Sequence, residues 1–330
     1  MRFSIHNILR VLPVALMAAG MLASCSGKKA EPKRQPIAKV ACDESFESIM
    51  EQEIAVFEYV YPKEDVIAYY VPESEAIDSI MAMGSVKNAV ATRALTEQEV
   101  AYLKSNKKIV HQQKIAVDAL ALIVNPANPV EILSKKDIAE ILSGDVTRWD
   151  QVEPSKLGDI KVIFDHQGSS TVKYMRDSVL DGRPFGPNVS AVKSNPEVFK
   201  AVANDRNAIG IIGVSWVTSD MSGREKSVEE MAQAAEASDT TVMDFNSDVK
   251  VLKVRGNDEV TAYKPYQAYI FDGSYPLHRS VYMICTAPGG TSHRFYSFVT
   301  GFQGQKIIQM TGILPATVRP RMVSVAWSKP

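Results

Sequence analysis

Lys161-Val-Ile-Phe-Asp165-His-Gln-Gly168-Ser169-Ser170-Thr171-Val-Lys-Tyr-Met175-Arg-Asp-Ser-Val179-Leu180 reads as a strand, a turn and a helix in succession. Residues 161–164 are the short apolar run of a buried strand, and Val172, Met175 and Val179 recur at helical spacing. The turn between them carries one glycine and three hydroxyls. The first N–H groups of a helix have no intrahelical partners and its N-terminus is partially positive, so such a turn suits an anion. The same hydroxyls also serve as plain N-caps, the commoner use of Ser and Thr at this position.

Outward from this unit, strands alternate with helices and the loops are rich in small polar residues, the pattern of an α/β sheet with binding groups at the strand ends. Residues 37–41 form a first strand. Asp43-Glu44-Ser45 then starts a helix whose buried side is Phe46, Ile49, Met50, Ile54, Phe57 and Val60, ended by Pro62. A strand over 66–71, a helix opened by Glu73-Ser74-Glu75, and a short strand over 88–91 ending at Thr92-Arg93 follow. Thr96 and Glu99 are spaced as a capping box, as are Ser134 and Asp137, with Gly144 after the second helix. Residues 115–125, IAVDALALIVN, make the longest apolar strand, long enough to cross between two lobes. A strand over 280–286 carries the chain back. Ser194-Asn195-Pro196 starts a helix, 208–214 and 249–254 read as strands, and helices cover 294–302 and 303–310. Residues 219–240 read as a polar surface loop and 315–330 as an irregular strap.

The 330 residues are 45% hydrophobic and 23% charged with a net charge of −1, a soluble globular balance with no basic excess for nucleic acid. Arg2 and Arg10 flank a short apolar run ending in Leu22-Ala23-Ser24-Cys25, which resembles a bacterial lipobox. Residues 1–24 are then a lipoprotein signal peptide, Cys25 the lipidated residue and 25–36 a polar tether. The protein is expected outside the cytoplasm, in the periplasm or on the cell surface, held to a bacterial membrane by acyl chains. Cys42 and Cys285 are available to pair in that oxidising compartment.

Six stretches, in order, resemble the PstS-like family, the phosphate-binding proteins of phosphate ABC transporters. They are IAVDALALIVNPANPV (115–130), ILSKKDIAEILSGDVTRWDQV (132–152), GSST (168–171), NAIGIIGVSWV (207–217), YPLHR (275–279) and GQKIIQMTGILPA (304–316). The resemblance implies a two-lobed periplasmic-binding-protein type II fold, α/β, with mixed sheets flanked by helices and two crossover strands. Lobe 1 would be 37–117 plus 280–330 and lobe 2 118–279. Ligand would sit between the lobes.

Carried over position by position, the resemblance implies binding residues Asp43, Ser45, Phe46, Ser74, Thr92, Arg93, Asp165, Gly168, Ser169, Ser170 and Thr171. Asp43 and Glu44 stand where the family has glycine-like residues, and Asp165 stands where its anion loop often begins with arginine. A carboxylate beside phosphate is repulsive unless a proton lies between them, so Asp43 or Asp165 would accept the phosphate O–H and exclude sulfate, while Arg93 balances charge. The implied partners are phosphate or a similar oxyanion and an ABC permease, with no cofactor and no metal. The alternative is the same fold with another anion, an organic or a cationic solute, as a surface sensor or adhesion lipoprotein. Catalysis is not expected: G-x-S-x-G, HExxH and Walker A patterns are absent and the histidines at 6, 111, 166, 278 and 293 are scattered.

Overall fold

Apolar strands joined through helices build two sheets that share one long strand. The structure, a computed structural model, describes residues 36–218, 228–230, 245–257 and 259–319. The first half runs β1 (Ile37–Asp43), α1 (Glu47–Val60), β2 (Asp65–Val71), α2 (Glu73–Met81), β3 (Asn88–Ala91), α3 (Glu97–Ser105) and β4 (His111–Val124). The second half runs β5 (Ile132–Ser134), α4 (Lys135–Ser143), β6 (Lys161–Phe164), α5 (Ser170–Tyr174), β7 (Val189–Ala191), α6 (Asn195–Asn204), β8 (Ala208–Gly213), α7 (Val214–Thr218), β9 (Lys250–Val251), β10 (Lys253–Arg255) and α8 (Gln267–Phe271). The chain then returns through β11 (His278–Cys285), α9 (Gly290–Thr300), α10 (Phe302–Met310) and β12 (Leu314–Pro315).

The shared strand explains the two-lobed plan. β1, β2 and β3 are parallel in the order β2-β1-β3, and β11 enters antiparallel between β3 and β4. On β4, His111 to Ala119 pairs with β11, whereas Leu120 to Val124 pairs with β8 of the second sheet, which continues through β6 to β7. Leu120, Ala121, Leu122, Ile123 and Val124 are wholly inaccessible, as expected of a run with no polar residue on either face.

The return differs from the expected second crossover strand. β11 lies entirely in the first sheet, and the crossing is made by residues 275–278 just before it, where the Leu120 N–H donates to the Leu277 carbonyl. The expected strand over 249–254 is two strands, because β9 pairs with β4 and β10 turns away to pair with β5. The helix read from Val172 onward is a five-residue α-helix followed by a π-helical stretch, Met175–Val179. Cys42 and Cys285, left free to pair by the sequence, are buried free thiols. Of the polar loop at 219–240 only 228–230 is described; the signal peptide, Cys25 with the tether up to 35, and the strap beyond 319 lie outside the described residues. Among the described residues no helix is long and apolar enough to cross a membrane.

Local rules hold where they were expected. Both capping boxes form, Thr96 with Glu99 and Ser134 with Asp137. Gly144 closes α4 in the left-handed region at φ 81°. There the backbone of Gly186 comes so close that a Cβ on it would lie 2.6 Å from the Gly144 nitrogen.

Two stability outcomes follow. Ser134→Ala should cost about 1 kcal/mol, the usual value of a lost N-cap. Gly186→Ala should cost about 1–3 kcal/mol through forced backbone displacement. Thermal or urea unfolding of the two variants checks both, and an unchanged midpoint for Gly186→Ala would contradict the close approach.

Candidate functional site

The C-terminal end of β1 delivers four site residues in a row. Asp43 ends the strand wholly buried, and its Oδ1 accepts from the Ser45 N–H at 3.0 Å, capping the single 3₁₀ turn Glu44–Phe46. Ser45 and Phe46 are buried with it. The cap is the expected role of an aspartate at a helix start, but its burial is not, and among the described residues Asp43 Oδ2 has no hydrogen-bond partner.

From the other lobe comes the turn between β6 and α5. Ser169 is the N-cap: its Oγ accepts from the Val172 N–H at 3.2 Å and donates to Asp165 Oδ1 at 2.6 Å. Ser169 is thereby used within its own loop, and Ser170 is left to reach outward. The Ser170 Oγ lies 3.1 Å from the Ser45 Oγ, joining the two lobes. The Gly168 N–H donates to His166 Nδ1 at 3.0 Å. Among the described residues Asp165 Oδ2 and Thr171 Oγ1 are buried without a hydrogen-bond partner.

Between these two loops sits Arg279. It is paired directly with Asp118 in the β4–β11 ladder. Its Nε donates to Asp118 Oδ2 at 3.1 Å, its Nη2 lies 3.1 Å from the same oxygen, and its Nη1 donates to Ser170 Oγ at 2.8 Å. The guanidinium lies over the Phe46 ring at 5.3 Å. Arg279 is 6% exposed and Asp118 1%. Burial pushes the carboxyls of Asp43 and Asp118 up from the usual range, and the positive charge of Arg279 opposes that shift in both.

Three further contacts cross between the lobes. The Trp216 Nε1–H donates to the Ser45 carbonyl at 3.1 Å. Lys173 Nζ donates to Glu73 Oε2 at 3.0 Å, while Glu73 Oε1 accepts from the Thr92 N–H at 2.8 Å and from the Thr92 hydroxyl. His166 meets the Glu44 carboxyl. Burial, then the negative charges of Asp165 and Asp43, raise Glu44 to about 7. A cavity of 360 Å³ opens beside these residues, walled by Glu44, Asp165, His166, Trp216, Tyr70 and the start of α6.

The expected residues therefore divide. Asp43, Ser45, Phe46, Asp165, Gly168, Ser169, Ser170 and Thr171 lie in or beside the junction around Arg279. Thr92 is one step away, holding Glu73. Arg93 forms a two-pronged pair with Glu99 at 2.8 Å on both prongs, so its charge is taken up by the α3 cap. Ser74 is exposed in the first turn of α2. Sequence reasoning overlooked Arg279, Asp118, Glu73, Lys173 and Trp216. Asp118 had a signal, as the one charge inside an apolar strand, where an acid persists only if paired. Arg279 lies in the YPLHR stretch at 275–279, where the local pattern names no partner for it. Among the described residues no group of three or more His, Cys, Asp or Glu side chains is placed to hold a metal ion.

A family model described as the PBP superfamily domain matches residues 27–302. Protein SphX of Synechococcus elongatus is 26% identical over 138 residues, 40% of this chain and 41% of that protein. The phosphate-binding protein PstS of Borreliella burgdorferi is 28% identical over 139 residues, 39% of this chain and 47% of that protein. The chain thus spans about half the length of the curated relatives it matches. Among solved structures, a putative phosphate ABC transporter substrate-binding protein with bound phosphate from Clostridium perfringens aligns with a TM-score of 0.66 at 20% identity, over 85% of this chain and all of the other. Because the family model spans residues 27–302, most of the chain, the protein belongs to the PBP superfamily.

Proposed function

We propose that this protein is an extracytoplasmic solute-binding lipoprotein, anchored through Cys25, that captures an oxyanion between its lobes and passes it to an ABC permease. Phosphate is the foremost candidate. The observation that carries the reading is the position of Arg279, a buried cation on the return strand that bonds a hydroxyl of one lobe and stacks on a ring of the other. It takes the charge-balancing role expected of Arg93. Ser45, Ser170 and Thr171 supply hydroxyl donors from both lobes. The relatives add weight, since one is named a phosphate-binding protein and one solved structure holds phosphate. Binding without turnover is the reading, and hinge motion near residues 119 and 275–278 closes and opens the cleft.

Selectivity then rests on unpaired carboxyl oxygens. Among the described residues, Asp43 Oδ2, Asp118 Oδ1 and Asp165 Oδ2 are buried without a hydrogen-bond partner. Phosphate near neutral pH carries a proton that an ionised carboxylate accepts, and sulfate does not. Each hydrogen bond to a charged group contributes about 1.5–3 kcal/mol, and a micromolar site needs about 8 kcal/mol net, within reach of these donors. The acidic surplus, with Asp43, Asp118, Asp165, Glu44 and Glu73 against Arg279 and Lys173, favours a second reading in which a cationic or organic solute binds here.

Calorimetric titration of the phosphate-stripped protein with phosphate and, in parallel, sulfate tests the first reading. Binding of phosphate alone is expected. No heat with either anion, together with a raised melting temperature in an amine or a divalent cation, would transfer the site to the second. Ser170→Ala should weaken phosphate about tenfold to a hundredfold, the value of one charge-assisted bond. Arg279→Gln should lose binding and about 3–5 kcal/mol of stability, since it strands the buried Asp118 carboxylate.

The buried Glu44 carboxyl, crowded by the charges of Asp165 and Asp43, gives a pH dependence. The folded carboxyl keeps its proton up to about 7, whereas an ordinary glutamate releases it near 4.5. Folding therefore takes up a proton between these values. The contribution is complete below about 4.5 and is lost as pH rises through about 7. Glu44→Gln should flatten the fall of melting temperature between about pH 5 and 8 that the unaltered protein shows.

A further inference from the structure

The end of the first sheet remote from the cleft holds a larger cavity of 560 Å³. β1 has seven residues, so the beginning of that strand stands about 20 Å from Asp43 at its other end. Three lysines wall the cavity, Lys87 ahead of β3 and Lys107 and Lys108 ahead of β4, and among the described residues no carboxylate lines it. Lysines normally spread apart on a surface. Here burial and the charge of Lys108 hold Lys87 below the ordinary lysine range, while the Lys87 Nζ donates to the Gly84 carbonyl at 2.6 Å. Lys107 adopts φ 58°, a conformation rare for a residue with a Cβ.

The opposite wall is the first turn of α9, an eleven-residue helix whose initial N–H groups have no intrahelical acceptors. Thr291 in that turn lines the cavity and is 8% exposed, and its hydroxyl has no hydrogen-bond partner among the described residues. Gly289 and Gly290 just before it have open space where a side chain would be. Cations, unpaired N–H donors and an unpartnered hydroxyl thus face one space, which is the donor set of an anion site.

We propose that this basic cavity is a second anion-binding site, separate from the cleft, that takes a phosphate-bearing group. Two sources share that chemistry, free phosphate and the headgroup of an anionic lipid. The wall includes Pro36 and Ile37, eleven residues or so after Cys25. If the acyl anchor of the proposed function is correct, the tether reaches at most about 40 Å, which keeps this cavity near the bilayer.

The test compares the purified protein with a triple variant, Lys87→Gln, Lys107→Gln, Lys108→Gln, and with a charge-matched control, Lys136→Gln, Lys156→Gln, Lys200→Gln, on exposed lysines elsewhere. Equilibrium dialysis with inorganic phosphate counts bound equivalents at saturation, and co-sedimentation with phosphatidylglycerol–phosphatidylcholine vesicles reads the lipid arm. Loss of one phosphate equivalent by the cavity variant, and not by the control, assigns the site to free phosphate. A fall of fivefold or more in vesicle binding, again absent from the control, assigns it to a lipid headgroup. Equal behaviour of cavity variant and control in both arms overturns the proposal. Failure of the cleft reading would look different, as one fewer phosphate equivalent in all three proteins.

Discussion

A single buried guanidinium, that of Arg279, ties the two halves of the molecule together. A charge removed from water must be compensated on the spot, or the fold loses several kcal/mol. Arg279 meets this demand with Asp118 on the neighbouring strand, Ser170 on one lobe and the face of Phe46 on the other. The β4–β11 ladder sets Arg279 and Asp118 opposite each other, so the pair exists as soon as the two strands register. The ion pair is therefore a consequence of sheet pairing, and the hydroxyls of the cleft are arranged around a cation that the fold has already put in place.

From this the layout of the cleft follows. Ser45 comes from a strand end and Ser170 from a helix start, and both converge because the parallel strands of each sheet end toward the junction. The division of labour within the GSST turn is instructive. Ser169 both caps the helix and bonds Asp165, which frees Ser170 for the interlobe contact. Two adjacent serines of identical chemistry are thus separated into a structural and a bridging role by the geometry of one helical turn.

The strand–helix alternation, both capping boxes and the glycine stop of α4 were legible because each depends on local pattern. So was β4, whose unbroken apolar run admits few other readings. What was not legible depends on pairing between distant segments. Asp118 and Arg279 are 161 residues apart, and nothing near either names its partner. The same distance problem hid Lys173 and Glu73, 100 residues apart. Arg93 is the local counterpart: an acceptor, Glu99, stands six residues on and takes the guanidinium. The separation of β9 from β10 was equally invisible, since the intervening Leu252 looks like any strand residue and only its bond to Leu122 marks the change of partner.

The insertion of β11 between β3 and β4 also bears on the order in which the chain becomes ordered. Strands β6, β7 and β8 come from one continuous run of sequence and can pair as soon as it is made. The first sheet cannot: β3 has its antiparallel neighbour almost two hundred residues downstream, and until β11 arrives its edge is open. Long-range pairing of this kind is slow and leaves strand edges available to wrong partners. A chain threaded across a membrane from its N-terminus would expose these early strands first and complete them last. The late arrival of β11 thus leaves a period during synthesis when the early strands must be kept from aggregating.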